Sequence, residues 1–311
     1  MNWAKQFTLA LKGAAMGVAE VIPGVSGGTI AFITGIYEEL INTIKAVLGP
    51  GAIGALRKEG IAAAWEKANG TFLVFLLGGM LVGIVLGVFG VTHLLENYPE
   101  LLWAFFFGLI LASALYIGRQ VKQWGVGTLV ALVLGTALAY WITVASPSQG
   151  TEALWFVFLS GMIAISALIL PGISGSFILL LLGMYTFIIP TVKDALKTFN
   201  PESLVVLGVF GVGCLLGLAT FSRVLSWTFK HYHDITMAVL TGFMLGSLNK
   251  IWPWRNVLET RINSKGEKVP FLEQSVLPAA YEGDPQVMGV VALMIVGFAA
   301  VFLMERLGKR N

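Results

Sequence analysis

The chain has 311 residues, 57% of them hydrophobic and only 12% charged, where an ordinary soluble domain carries roughly a quarter charged residues. That balance excludes a water-soluble globular enzyme and describes an integral membrane protein. The net charge of +3 is small and its basic residues lie between apolar stretches, which leaves nucleic-acid binding without support, and the lone Cys214 can form neither an internal disulfide nor a metal site.

The N-terminal segment carries Lys5 and Lys12 ahead of small residues, as a cleavable signal peptide would. It leads straight into AEVIPGVSGGTIAFITGIY, residues 19–37, where an acid, a proline and four glycines interrupt an apolar run, and cleavage near Ala19 would cut that motif. Apolar stretches follow at 71–95, 101–118 and 125–145. The motif then returns at 167–185 as ALILPGISGSFILLLLGMY. Laid over the first without a gap, it matches Pro23 with Pro171, Gly24 with Gly172, Ser26 with Ser174, Gly27 with Gly175, Gly35 with Gly183 and Tyr37 with Tyr185. Further apolar stretches lie at 203–229, 235–248 and, beyond a polar loop at 250–286, 287–304. Several fall a little short of the roughly 20 residues that cross a hydrocarbon core as helix, yet none shows the period-two alternation of barrel strands.

The likeness extends past the motif. Gly79 and Gly83 overlie Gly213 and Gly217, Tyr98 overlies Tyr232, Gly108 overlies Gly242 and Ser113 overlies Ser247. The expected fold is an all-α polytopic membrane protein of two repeats, 1–150 and 151–311. Each repeat holds a broken helical hairpin, about 6–48 and 152–192, followed by three spans. After the first break, residues 26–36 form an apolar arm of about 16 Å as helix, half the hydrocarbon thickness, so the segment should enter and return. Three net crossings per repeat then invert the second copy, the plan of many transporters whose site lies near the midplane. The return arm at 174–190 is longer, and if both broken segments crossed once the halves would be parallel. The spread of Lys and Arg among the short loops puts both termini in the cytoplasm.

A proline interrupts the helix ladder and glycines accept backbone angles other residues avoid, so Pro23, Gly24, Pro171 and Gly172 form the breaks. New helices should start at Ser26, with Gly27, Gly28 and Thr29, and at Ser174, with Gly175 and Ser176. Free amides and hydroxyls at such starts suit an anion, and two starts brought together by pseudo-symmetry suit a phosphate. A single break would be read as a kink with serine caps; its duplication favours a binding site. The glycine pairs 79/83 and 213/217 read as helix-packing surfaces. Two intramembrane charges have no repeat partner: Glu20 overlies Leu168 and Arg223 overlies Phe89. Arg223 is a candidate phosphate ligand through its planar fork, and Glu20 a candidate carrier of a coupling proton; the plain alternative is that they neutralise each other or snorkel. His93, His231 and His233 sit near span ends and are weaker relay candidates. Trp103, Trp252 and Trp254 fit interfacial anchoring.

The two segments, together with the Phe221-Ser222-Arg223 string, resemble the signature segments of the bacterial polyprenyl-phosphate translocase family, formerly a membrane family of unknown function. The resemblance spans essentially the whole chain. It implies a flippase that returns undecaprenyl phosphate, the lipid carrier of envelope sugars, from the outer to the inner leaflet of the cytoplasmic membrane. It also implies a site made of Glu20, Pro23, Gly24, Ser26, Gly27, Gly28 and Thr29 with Pro171, Gly172, Ser174, Gly175, Ser176 and Arg223. Leu168 and Phe177 depart from the first copy, which argues against two equivalent carboxylates. The expected partners are the polyprenyl phosphate substrate, membrane lipids and a coupling proton or other ion, with no cofactor and no metal. Two rival readings stand beside it. A lipid phosphatase would use Ser222, Arg223, His231, His233 and Asp234, but their spacing is wrong for a catalytic constellation, so an enzyme is not expected. A small-anion channel or exchanger can also use helix N-termini in inverted repeats.

Overall fold

The computed structural model describes residues 3–22, 25–148, 150–262 and 268–308. The first half opens with α1 (Trp3–Val21), a short α2 (Gly27–Ile33) and α3 (Tyr37–Val47). Two further short helices, α4 (Pro50–Lys58) and α5 (Ile61–Lys67), lead to α6 (Gly70–Asn97), α7 (Pro99–Gly118) and α8 (Val126–Val144). The second half repeats the order with α9 (Leu154–Ile169), α10 (Gly175–Leu181), α11 (Tyr185–Thr198), α12 (Pro201–His231) and α13 (His233–Ser247). A β-hairpin of β1 (Arg255–Ile262) and β2 (Lys268–Ser275) precedes α14 (Val287–Gly308).

Every apolar stretch expected to span is helical. α6, α7, α8 and α12 are long and apolar enough to cross a bilayer by themselves. α13 has only 15 residues, ten of them buried, and α7 likewise buries eleven of its 20. These two lie inside, together with the short α2, which is buried at all seven positions. Outer faces of α6, α8 and α12 expose Val74, Leu81, Phe89, Val133, Trp141, Val205 and Leu215, an apolar belt that only lipid can cover.

Small residues set the helix pairs. A Cβ on Gly79 or Gly83 would collide with the carbonyl of Ala10 or Ala14, so α6 lies backbone to backbone on α1. Because both positions advance by four on each helix, the two run parallel. Gly213 and Gly217 meet the Phe158 and Met162 carbonyls in the same way, which makes α12 parallel to α9. α7 runs parallel to α14, with Leu101 beside Gly289 and Leu109 beside Gly297, and α8 parallel to α13, with Leu132 at Gly242 and Thr136 at Gly246. The packing reading of both glycine pairs therefore holds.

Positions that overlie in the sequence take matching backbones. Gly35 (φ 73) and Gly183 (φ 69) both adopt the left-handed conformation that ends the short helix before Tyr37 and Tyr185. Tyr98 (φ −142, ψ 51) and Tyr232 (φ −137, ψ 49) each close one long helix and open the next. The longer return arm at 174–190 is not a straight span, since α10 and α11 meet at 113°. The polar loop at 250–286 holds a β-hairpin, β1 with β2, where no strand is expected from its sequence. There Arg255 pairs with Ser275 and Asn256 with Gln274, with a register irregularity between Val257 and Thr260.

A candidate site where the two breaks meet

Pro23 and Gly24, named from the sequence as break-forming, lie outside the described residues. The helix that follows them is α2, and Ser26 caps it: the residue is extended (φ −110, ψ 134) and its Oγ accepts from the Gly28 amide at 3.1 Å. The same hydroxyl points its proton at the end of α9, with the Leu170 carbonyl at 3.1 Å and the Leu168 carbonyl at 3.3 Å. Both lie where α9 stops before Pro171, and the Leu170 carbonyl otherwise accepts, among the described residues, only a long bond from the Ile173 amide at 3.4 Å. In return, the amide of Gly172 donates to Thr29 Oγ1 at 3.0 Å, with Gly172 in the left-handed conformation (φ 82). Gly28 completes the junction, since any Cβ there would strike the Ile169 carbonyl. Ser26 is 1% exposed and Thr29 fully buried.

Each break thus satisfies backbone groups released by the other. In hydrocarbon a stranded amide or carbonyl costs several kcal/mol, which explains why the residues at these positions carry small hydroxyls or no side chain at all.

The remaining predicted residues divide. Glu20 folds back so that its Oε1 accepts from the Gly27 amide at 2.8 Å. The acceptor at the start of α2 is therefore the chain's own carboxyl group, in the place the positive end of a helix favours for an acid. An acid seven residues upstream of the new helix was the available signal; neither a proton carrier nor a partner for Arg223 describes this contact. At α10 the start is different. Ser174 is extended as an N-cap (φ −94, ψ 128), its hydroxyl lies 2.9 Å from that of Ser176, and Gly175 packs on the Ala164 carbonyl and on Leu168, which stands where the first copy has its acid. Arg223 does not touch either start among the described contacts. Its guanidinium donates to the Ala219 carbonyl and, at 2.9 Å, to the Leu48 carbonyl at the C-terminal end of α3. Glu20 and Arg223 thus do not neutralise each other.

His93 bonds with Asn97, His231 with the Trp227 carbonyl, and His233 sits between Asp234 and Glu38, all at helix ends. The three tryptophans correct the sequence reading. Trp103 and Trp254 are buried, and Trp252 and Trp254 donate to the Val276 and Pro285 carbonyls, so they fasten the segment around the hairpin instead of floating at an interface. Separate from the breaks, a groove of about 730 Å³ runs between α8 and α13 under residues 275–277. Its walls include Phe107, Leu132, Val133, Tyr140, Leu245 and Trp252, and exposed Val133 and Tyr140 open it sideways toward lipid.

Comparison with known proteins places the chain among its relatives. Residues 16–269 match the family described as undecaprenyl phosphate translocase-like. The chain is 43% identical, over its full length and 98% of the relative, to a protein of Vibrio cholerae serotype O1 named polyprenyl-phosphate transporter. It is 31% identical, over 78% of its length and 85% of the relative, to a protein of the same name from Staphylococcus aureus. No solved structure gives a significant match.

Proposed function

The chain belongs to the undecaprenyl phosphate translocase-like family, and from that premise we propose that it carries polyprenyl phosphate from the outer to the inner leaflet of a bacterial cytoplasmic membrane. The names of the two relatives support the substrate class. The observation that carries the reading is the reciprocal junction of the breaks, where Ser26, Thr29 and the Gly172 amide hold the halves together through polar groups deep in an apolar body.

Separation of the halves would release those donors, and with the Gly27 and Gly28 amides and the Ser174–Gly175–Ser176 start they form a cradle for a phosphate. The prenyl chain stays in lipid, so no charge is drawn through hydrocarbon. Glu20 supplies a coupling step. As a carboxylate it holds the α2 start and repels phosphate; a proton taken up there removes the repulsion and weakens the hold on the Gly27 amide. Arg223 lies on α12 six residues beyond Gly217, which packs on Met162, and Leu168 lies six residues beyond Met162 on the parallel α9; this register supports a cation level with the second break.

The inverted arrangement of 1–150 and 151–311, each with a re-entrant hairpin, is part of the proposal. A first segment that crossed outright would leave α6 antiparallel to α1, whereas the two are parallel. α13 runs with α8 and follows α12 after a single residue, so α12 opposes α6, its counterpart. Both termini then face the cytoplasm. A small-anion pathway is disfavoured by the groove that opens sideways to lipid.

The test is leaflet crossing of labelled undecaprenyl phosphate in vesicles carrying the purified protein, run beside chloride and phosphate flux. Protein-dependent lipid crossing without small-anion flux is expected. Rapid anion flux with no lipid crossing under any imposed gradient would overturn the reading.

A further inference from the structure

Two cations and one carboxylate sit just past the C-terminal end of α13, beside the second break. Lys250 Nζ lies 3.5 Å and Arg255 Nη1 2.9 Å from the same oxygen, Oε2 of Glu273 on β2. The Lys250 ammonium also stands over the ring of Phe177 on α10 at 4.7 Å, and the Arg255 guanidinium over Trp103 at 4.8 Å. Only 8% of the Arg255 side chain is exposed, and its buried Nε has no hydrogen-bond partner among the described residues. The nearby acid, Glu100, is engaged by the Tyr281 hydroxyl. Both cations thus converge on a single oxygen of Glu273 and the Arg255 Nε donor stays unmet, in a place where an unmet donor is costly.

Its position relates it to the breaks. Gly172 packs on α13 so closely that a Cβ would lie 2.9 Å from Ser247 Oγ, and Lys250 is one turn further on, its amide bonded to the Ser247 carbonyl at 2.9 Å. Ser275 on β2 bonds Asn249 at 3.0 Å and so clamps the hairpin over this end of the helix. Burial, with Arg255 beside it, holds the Lys250 ammonium below the usual lysine range, and a second anion would relieve both effects. The whole group comes from the hairpin insertion and the turn before it, which have no counterpart between α7 and α8.

We propose that Lys250 and Arg255 form a separate entry site for a phosphate group, which takes the place of the Glu273 carboxylate oxygen between the two cations one turn outside the second break. Glu273 is the internal stand-in for that ligand: it keeps one buried and one partly buried cation compensated until an anion with more acceptor oxygens displaces it. The site rests on the transport reading for its role, as the point where an outer-leaflet substrate is captured before it reaches Ser174 and Ser176.

Undecaprenyl phosphate would be titrated against the full-length protein and its variants in nanodiscs, with binding followed by native mass spectrometry. Lys250→Gln and Arg255→Gln should each weaken binding by on the order of tenfold to a hundredfold, and Lys250→Arg should keep most of it. Glu273→Gln should tighten binding, because a weaker competitor then faces the cations. Cation variants that bind like the wild type would overturn the proposal. So would a Glu273→Gln variant that loses binding along with them, since the cluster would then only pin the hairpin. Inorganic phosphate added as competitor separates the sources: competition at the concentration of the lipid marks a site for the free ion, and its absence marks the lipid head group. Lipid capture by a wild type that moves nothing across the bilayer would sink the transport reading and leave this site standing.

Discussion

Thr29 and Ser26 are small residues with large obligations. Each offers one hydroxyl to backbone groups of a segment more than 140 positions away, with separations of 142 to 144. Thr29→Val keeps the shape and removes the acceptor, leaving the Gly172 amide buried without a partner. A loss of about 1–3 kcal/mol is expected, read as a lowered unfolding midpoint in detergent, while Thr29→Ser should stay near the wild type. Glu20→Gln retains an oxygen for the Gly27 amide but cannot titrate. Its fold should be preserved while leaflet crossing no longer responds to an imposed pH gradient; an unchanged gradient response would remove Glu20 from the coupling step. The duplicated Pro-Gly-x-Ser-Gly pattern made these residues visible as a pair of sites. Which hydroxyl meets which carbonyl was not legible, because it depends on how α2 lies against α9, and local spacing carries no record of that.

At the scale of elements, helix faces were the easiest thing to read and the hairpin the hardest. Long apolar runs must be helical in lipid, so α6, α7, α8 and α12 follow almost from composition. The glycine pairs marked the closest contacts for a related reason: with lipid on every side, helices associate where small residues let backbones approach. Gly83→Leu should force α6 off the Ala14 carbonyl and cost several kcal/mol or abolish folding, whereas Gly78→Ala, with nothing within 4 Å of the new Cβ, should change stability by no more than about 0.5 kcal/mol. Thermal unfolding of both variants in one detergent checks the contrast. α13 was recognised as apolar although its 15 residues are short for a span, and its burial between α7 and α8 accounts for that. β1 and β2 escaped because their alternation is broken by a proline and by the irregular register near Val257, and a charged loop in a membrane protein gives no expectation of a sheet.

For the whole molecule, the pairings α1 with α6, α9 with α12, α7 with α14 and α8 with α13 are exchanged among themselves when the halves are swapped. A two-fold repeat gives that pattern, and the proposed inverted plan adds a prediction of sidedness. In a Cys214→Ser background, a cysteine at exposed Lys58 should react with an impermeant thiol reagent only from the side of the termini, and one at exposed Glu282 only from the opposite side. Labelling of both from one side would make the halves parallel. On the proposed transport cycle the junction of breaks must open for alternating access, and its polar bonds belong to the closed state.

The most direct test is the rate at which labelled undecaprenyl phosphate crosses vesicles that contain the wild type, Ser26→Ala or Gly78→Ala. The account predicts crossing by the wild type and by Gly78→Ala, and a loss of at least tenfold in Ser26→Ala with the protein still folded. Equal crossing by all three would contradict it, because the phosphate would then pass without the paired breaks.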